Sequence, residues 1–154
     1  MAGRIDARLR ELGITLPAAA PPQANYVPFV VTGNLAFIAG QISRLGNETI
    51  AGKVGGSVNL ATAQKGARWC ALGILAHLKT ACGGDLDRVK RFVKLGGFVN
   101  AVSDFPNSPL VINGASDLLV EIFGDAGRHA RFAVAVASLP ANAAVEIDAV
   151  AEIG

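Results

Sequence analysis

Arg131 and Glu146 are the residues of this 154-residue chain whose types and setting best promise chemistry. The chain runs Gly127-Arg128-His129-Ala130-Arg131, then Phe132-Ala133-Val134-Ala135-Val136-Ala137. After Leu139-Pro140 it continues Val145-Glu146-Ile147-Asp148-Ala149-Val150-Ala151. The alternation predicts two neighbouring strands joined by a short loop, with successive side chains on opposite faces. Phe132, Val134 and Val136 are expected on a packing face, and Arg131, Ala133, Ala135 and Ala137 on the other. On the second strand Val145, Ile147, Ala149 and Ala151 form the apolar face, and Glu146 and Asp148 point away from it. An arginine beside a run of methyl groups, near a carboxylate, is one way to build a pocket for a small anion. A guanidinium stays charged and grips a carboxylate at two points. The competing reading is a salt bridge of Arg131 with Glu146 or Asp148, within one chain or between subunits.

Other residues carry paired readings. Glu146 can hold a water and relay its proton, or be a plain strand carboxylate. Tyr26, the only tyrosine, can line a pocket with its hydroxyl on a ligand, or sit at a subunit interface. His129 shares a face with Arg131 if the strand begins there, and can carry a proton near neutral pH; a surface or interface role is the plainer assignment. Asn113 and Ser116, near the start of a predicted helix, can offer donors to an anion, or cap and pack it. Lys90, Arg91 and Lys94 form the main basic cluster, more simply a solvated strand edge than an RNA contact. Gly52-Lys53-Val54-Gly55-Gly56 lacks the spacing of a phosphate loop. His77 and His129 are far apart in sequence, so no metal site and no cofactor are expected.

Bulk properties bound the answer. The length suits a single domain over 1–154 with a real core. Apolar residues make up 51% and charged residues 17%, a low charge density that predicts apolar surface buried by self-association, with a large core as the plainer alternative. The net charge of +2 gives no electrostatic case for nucleic acid. Cys70 and Cys82 fall in one predicted helix, roughly 18 Å apart along its axis, too far for a disulfide, which fits a reducing compartment. No apolar run approaches the about 20 residues of a membrane span. Arg4, Asp6, Arg8, Arg10 and Glu11 stand where a signal peptide would need apolar residues. A cytoplasmic protein is expected.

The elements that must position these residues read as follows. A short helix covers Ile5 to Leu12 and ends at Gly13; the Ala/Pro-rich stretch Pro17–Gln23 is extended, so that 1–24 forms a helix and an arm. Tyr26–Thr32 and Leu35–Ser43 are strands about a Gly33-Asn34 turn, with a bulge or close approach at Gly40-Gln41. Leu45–Ser57 is loop-like. Asn59 caps a long helix to about Cys82, stopped by Gly83-Gly84. Arg88–Asn100 is strand-like, interrupted by Gly96-Gly97, and a second helix runs from about Pro109 to Phe123, with Gly124 beyond its end. Strands with two long helices on one face make a two-layer α+β sandwich.

This order resembles the reactive intermediate deaminase family, also called YjgF-like. The resemblance rests on Asn25-Tyr26-Val27, Ala39-Gly40-Gln41-Ile42, Asp104-Phe105, Val111-Ile112-Asn113, Ala130-Arg131, Leu139-Pro140 and Val145-Glu146-Ile147. It covers roughly Asn25 to Ala151. The N-terminal helix, the Gly96-Gly97 region and Gly127-Arg128-His129 are similar to a longer subgroup labelled endoribonuclease. The resemblance implies a chorismate-mutase-like fold, a mixed six-stranded sheet with two long helices on one face. It implies a homotrimer with clefts between subunits and an enzyme that hydrolyses 2-imino or 2-enamino acids to 2-keto acids and ammonia. It makes Arg131, Glu146 and Tyr26 catalytic, with Arg131, Asn113, Ala39, Gly40, Ala133 and His129 around a small carboxylate substrate. Two positions depart from the family: Ala39 stands where a serine or threonine is frequent, and Ala133 where a cysteine is frequent. The alternatives are a noncatalytic binder of small carboxylates and, third, an endoribonuclease.

Overall fold

The computed structural model describes residues 3–22 and 24–154; Gln23, in the stretch expected to be extended, lies outside them. Helix α1 (Arg4–Glu11) is followed by strands β1 (Phe29–Thr32) and β2 (Leu35–Ile42). A small ribbon comes next, β3 (Arg44–Leu45) with β4 (Glu48–Thr49), then helix α2 (Leu60–Ala81) and strand β5 (Val89–Asn100). Helix α3 (Ser108–Phe123) and strands β6 (Ala130–Val136) and β7 (Val145–Ile153) complete the chain. The main sheet has the order β1-β2-β7-β5-β6. It is mixed: β6 runs parallel to β5, and the other pairs are antiparallel. It therefore has five strands, one fewer than expected. The two-residue strands β3 and β4 pair only with each other, within the segment read as a loop.

Local chemistry sets the helix ends. The Asn59 side chain accepts from the Thr62 N–H at 2.8 Å, satisfying one of the orphan donors at the start of α2. Gly124, at φ 62°, ends α3, a conformation that costs a residue without Cβ little. At the start of α1 the cap comes from far along the chain: the Asp87 carboxylate accepts from the Arg4 and Ile5 N–H groups, both at 2.8 Å. Those bonds to the charged form hold the Asp87 carboxyl below its usual range.

Both long helices pack on one face of the sheet, α2 over β2 and β7 and α3 over β5 and β6. Between the layers Phe92, Ile74, Leu75, Leu95, Ile112, Leu118 and Ile147 are fully buried. Glycines permit the closest approaches. A Cβ on Gly114 of α3 would collide with the Gln64 carbonyl of α2, and one on Gly97 of β5 would meet Ile112 of α3. Among the described residues no helix or second sheet covers the opposite face of the sheet. Val30, Phe37, Phe132 and Val134 project there and are 37–52% exposed, across from or beside Val150, Gly96 and Phe98 in the register.

Two expectations about the last quarter are corrected. β6 and β7 are not neighbours, because β5 lies between them. The eight residues from Ala137 to Ala144 are long enough to step over a strand about 4.8 Å wide. The faces of β6 are also the reverse of those expected. Arg131 pairs in register with the buried Leu95 and lies on the helix side with Ala133, which packs against the core. Phe132 and Val134 lie on the open side. α3 approaches β6 closely: Gly127, just before the strand, lies where any Cβ would strike the Leu119 carbonyl. The small side chains go to the crowded side.

Candidate functional site

The predicted site residues fall into two groups within one chain. The first surrounds Arg131 at the sheet edge. Its Nη1 donates to Ser116 Oγ at 3.0 Å and its Nη2 to the Pro109 carbonyl at 3.2 Å. Ser116 Oγ lies 2.9 Å from His129 Nε2, and His129 Nδ1 lies 2.7 Å from the Gly127 carbonyl. A carbonyl only accepts, so Nδ1 carries the hydrogen; Nε2 then accepts from the Ser116 hydroxyl, which in turn accepts from Arg131. Burial lowers the His129 pKa, as does the nearby Arg131 charge, while the Gly127 bond opposes them. Burial and the Arg131 charge thus favour the neutral imidazole, in the tautomer this chain of bonds requires. Asn113, half-buried, lies on α3 three residues before Ser116 and four after Pro109, on the same helix stripe. Two of the five guanidinium N–H donors are used to hold Arg131, and three remain for an anion.

The second group lines a cleft of about 470 Å³ that contains Tyr26, Ala39, Gly40 and Glu146. Tyr26 precedes β1 rather than lying within it. The register of β2 against β7 shifts between Ile38 and Gln41, the irregularity expected at Gly40-Gln41. It brings Gly40 beside Glu146: a Cβ at Gly40 would lie 2.9 Å from Glu146 Oε1. The Glu146 pKa is raised, first by burial and then by the charge of Asp148, which projects from the same face of β7 two residues on. Such a carboxyl is poised to exchange a proton. Ala133 lies with the first group, on β6.

Because Arg131 faces the helices and Glu146 faces the open side of the sheet, with β5 between their strands, the two do not meet within one chain. They form no ion pair within one chain, which sets aside the intrachain form of the salt-bridge reading of Arg131 and leaves its intersubunit form standing.

The cleft also holds residues that the sequence reading did not place there: Gln41, Arg44 and His77. Gln41 Nε2 donates to the Ala39 carbonyl at 3.0 Å, and its side chain packs where Gly73 of α2 leaves room. His77 is 3% exposed, and burial lowers its pKa. Arg44 Nε donates to Thr49 Oγ1 at 3.0 Å. The bulge at Gly40-Gln41 was the available signal, since it turns the strand end toward α2. Pro140 and Ala141 reach the cleft from the β6–β7 connection, which Asn100 secures by donating to Asn142 Oδ1 at 3.1 Å. Among the described residues no three His, Cys, Asp or Glu side chains converge to hold a metal ion, and no helix is long and apolar enough to cross a membrane.

A two-layer sandwich with a glycine beside a strand glutamate, and an arginine on the edge strand, defines a class of small α+β proteins. The family described as "YjgF/chorismate_mutase-like, putative endoribonuclease" matches residues 6–153, and the chain belongs to it. Protein TCP17 of Trypanosoma cruzi is 47% identical over 155 residues, covering 98% of this chain and 95% of that one. A crystal structure of a protein of unknown function from Agrobacterium tumefaciens is 50% identical with a TM-score of 0.91, over 98% of this chain and 93% of the other. A Shewanella oneidensis protein carrying the same endoribonuclease description is 33% identical with a TM-score of 0.92, over 97% and 99% of the two chains.

Proposed function

We propose that this protein hydrolyses small 2-imino and 2-enamino acids to 2-keto acids and ammonia, in clefts formed between three copies of the chain in the cytoplasm. The observation that carries the reading is the half-buried Glu146, its proton affinity raised, in a cleft with Tyr26 and Gly40. A pre-positioned Arg131 on the edge strand supports it, because three of its N–H donors are uncommitted. Assembly is needed to bring one copy's Arg131 toward another copy's Glu146. The exposed apolar side chains on the open sheet face give assembly its driving force.

In this reading Arg131 pairs with the substrate carboxylate. Glu146 takes a proton from water as the water oxygen bonds to C2 and the C=N pair moves to nitrogen. It then returns that proton to the nitrogen of what began as a protonated imine, and the C–N bond breaks as the new C2 hydroxyl gives its proton back to Glu146, so that ammonia leaves the keto acid behind. The departures at Ala39 and Ala133 remove a hydroxyl and a thiol that covalent chemistry would need, so a water route is the one written here. The same two departures favour, as a second reading, a binder of small carboxylates without turnover. The endoribonuclease description of the relatives has less behind it: His77 lies in the cleft and His129 is committed to Ser116, so the two histidines do not pair at one phosphate.

The test adds the protein to imino acid freshly released by an amino-acid oxidase and follows ammonia. Acceleration over the spontaneous rate supports hydrolysis. Tight binding of a 2-keto acid without acceleration supports the binder.

A further inference from the structure

The cleft around Glu146 has one wall built from the arm between α1 and β1, and that wall is chemically uniform. Pro17, Ala18, Ala20, Pro21 and Pro22 all line it. None has a side-chain donor or acceptor, and the prolines lack even the backbone N–H. Pro28 and Pro140 line the same cleft.

The wall is anchored at its upstream end. Ile5 and Leu9 of α1 are buried. Lys79 Nζ donates to Asp6 Oδ1 at 3.0 Å, Arg8 Nε donates to the Glu121 carbonyl at 3.0 Å, and Asp87 caps the helix. Proline fixes φ near −65°, so the arm offers a preformed surface with little ordering cost on binding.

The polar side chains of the cleft, Tyr26, Gln41, Arg44, His77 and Glu146, all come from outside the arm. Glu146 sits against Gly40, Gln41 is tied to the Ala39 carbonyl, Arg44 is tied to Thr49 Oγ1, and His77 is buried. A site that combines a reacting carboxyl with a wall offering no polar partner suits a substrate with a carbon tail. A cleft of about 470 Å³ also exceeds what a methyl or hydroxymethyl side chain fills.

We infer that the arm 17–22 is a specificity wall, and that the site takes 2-imino and 2-keto acids with large apolar side chains, branched aliphatic or aromatic, in preference to small or charged ones. The inference rests on the reading of this cleft as the substrate site. Each further buried methylene strengthens binding roughly fourfold.

The test is calorimetric titration of the full-length protein with pyruvate, 2-oxoglutarate, 4-methyl-2-oxopentanoate and phenylpyruvate. It is repeated with Ala20→Asp, which puts a charge on the wall at an exposed position the fold tolerates. The expected result is binding of the last two about tenfold or more tighter than of pyruvate, and a ratio reduced to within about threefold by the aspartate. Ala20→Val, which keeps the wall apolar, retains the ratio. Pyruvate binding as tightly as the apolar acids, binding of none of the four, or a ratio that survives Ala20→Asp overturns the inference. Parallel kcat/KM measurements with the corresponding imino acids separate the two readings. A preference in binding without turnover removes the hydrolysis reading and leaves the wall standing; turnover without preference does the reverse.

Discussion

Glu146 shares its side of β7 with Asp148, and that neighbour supplies the second cause of its raised pKa after burial. If the ionised carboxylate is the base, turnover rises with pH through a midpoint above the usual glutamate range. Removing the like charge lowers that midpoint, so Asp148→Asn shifts the acid limb of the pH–rate profile toward lower pH. Glu146→Gln keeps the shape but cannot accept the proton. It is expected to lower turnover by about 10²–10⁴ with keto-acid affinity retained, measured by steady-state kinetics beside calorimetry. Arg131 belongs to a different set of bonds. Ser116→Ala removes the acceptor on Nη1, and keto-acid affinity should fall by about 0.5–1.5 kcal/mol, with Ser116→Thr restoring it. Arg131→Lys keeps the charge and loses the planar grip, a larger loss of about 1.5–3 kcal/mol. A Ser116→Ala protein that binds as wild type does would assign the Ser116–His129 bonds to stability alone.

At the scale of elements, the parts written in local chemistry were legible and the parts set by long-range packing were not. Asn59 announces α2, Gly124 ends α3, and Gly40-Gln41 marks the bulge, because each requirement is met within a few residues. β6 was misread because both of its faces are apolar: Phe132, Val134 and Val136 alternate with Ala133, Ala135 and Ala137. Which set turns inward depends on how near α3 comes, which is decided by Gly127 against Leu119 and Gly97 against Ile112. The insertion of β5 between β6 and β7 is likewise a property of the sheet and of no single turn. Arg131 and Glu146 were both legible as chemistry-bearing residues. Their placement on opposite sides of the sheet was not, since it follows from those two decisions. The α2–α3 contact gives this scale its own test. Gly114→Ala places a methyl group against the Gln64 carbonyl, where backbone must move. Overpacking of this kind costs about 1–3 kcal/mol, read as a lower denaturation midpoint at unchanged m-value. Equal stability would mean that the helices separate there without cost.

For the whole molecule, the open face of the sheet decides what is stable in solution. One side is sealed by α2 and α3. The other presents Val30, Phe37, Phe132 and Val134 to solvent, and Phe98 stacks edge-to-face on Phe132 with ring centroids 5.3 Å apart. An exposed apolar face of this kind marks an interaction surface. Closed cyclic association buries it without leaving a new edge, and a trimer is the state proposed above. Glu146 and Asp148 project from the same face, so the surface that would be buried and the candidate catalytic group are contiguous. Assembly and activity should therefore fail together. Phe132→Asp puts a charge in the apolar patch on the side away from the core, where the fold of one chain does not depend on it. The expected outcome is a folded monomer by light scattering and circular dichroism, with imine hydrolysis lost although Arg131 and Glu146 are intact. A wild-type protein that scatters as a monomer removes the shared cleft. A monomeric Phe132→Asp variant with full activity places the whole reaction inside one chain, at the cleft of Tyr26, Arg44 and Glu146, and takes Arg131 out of it.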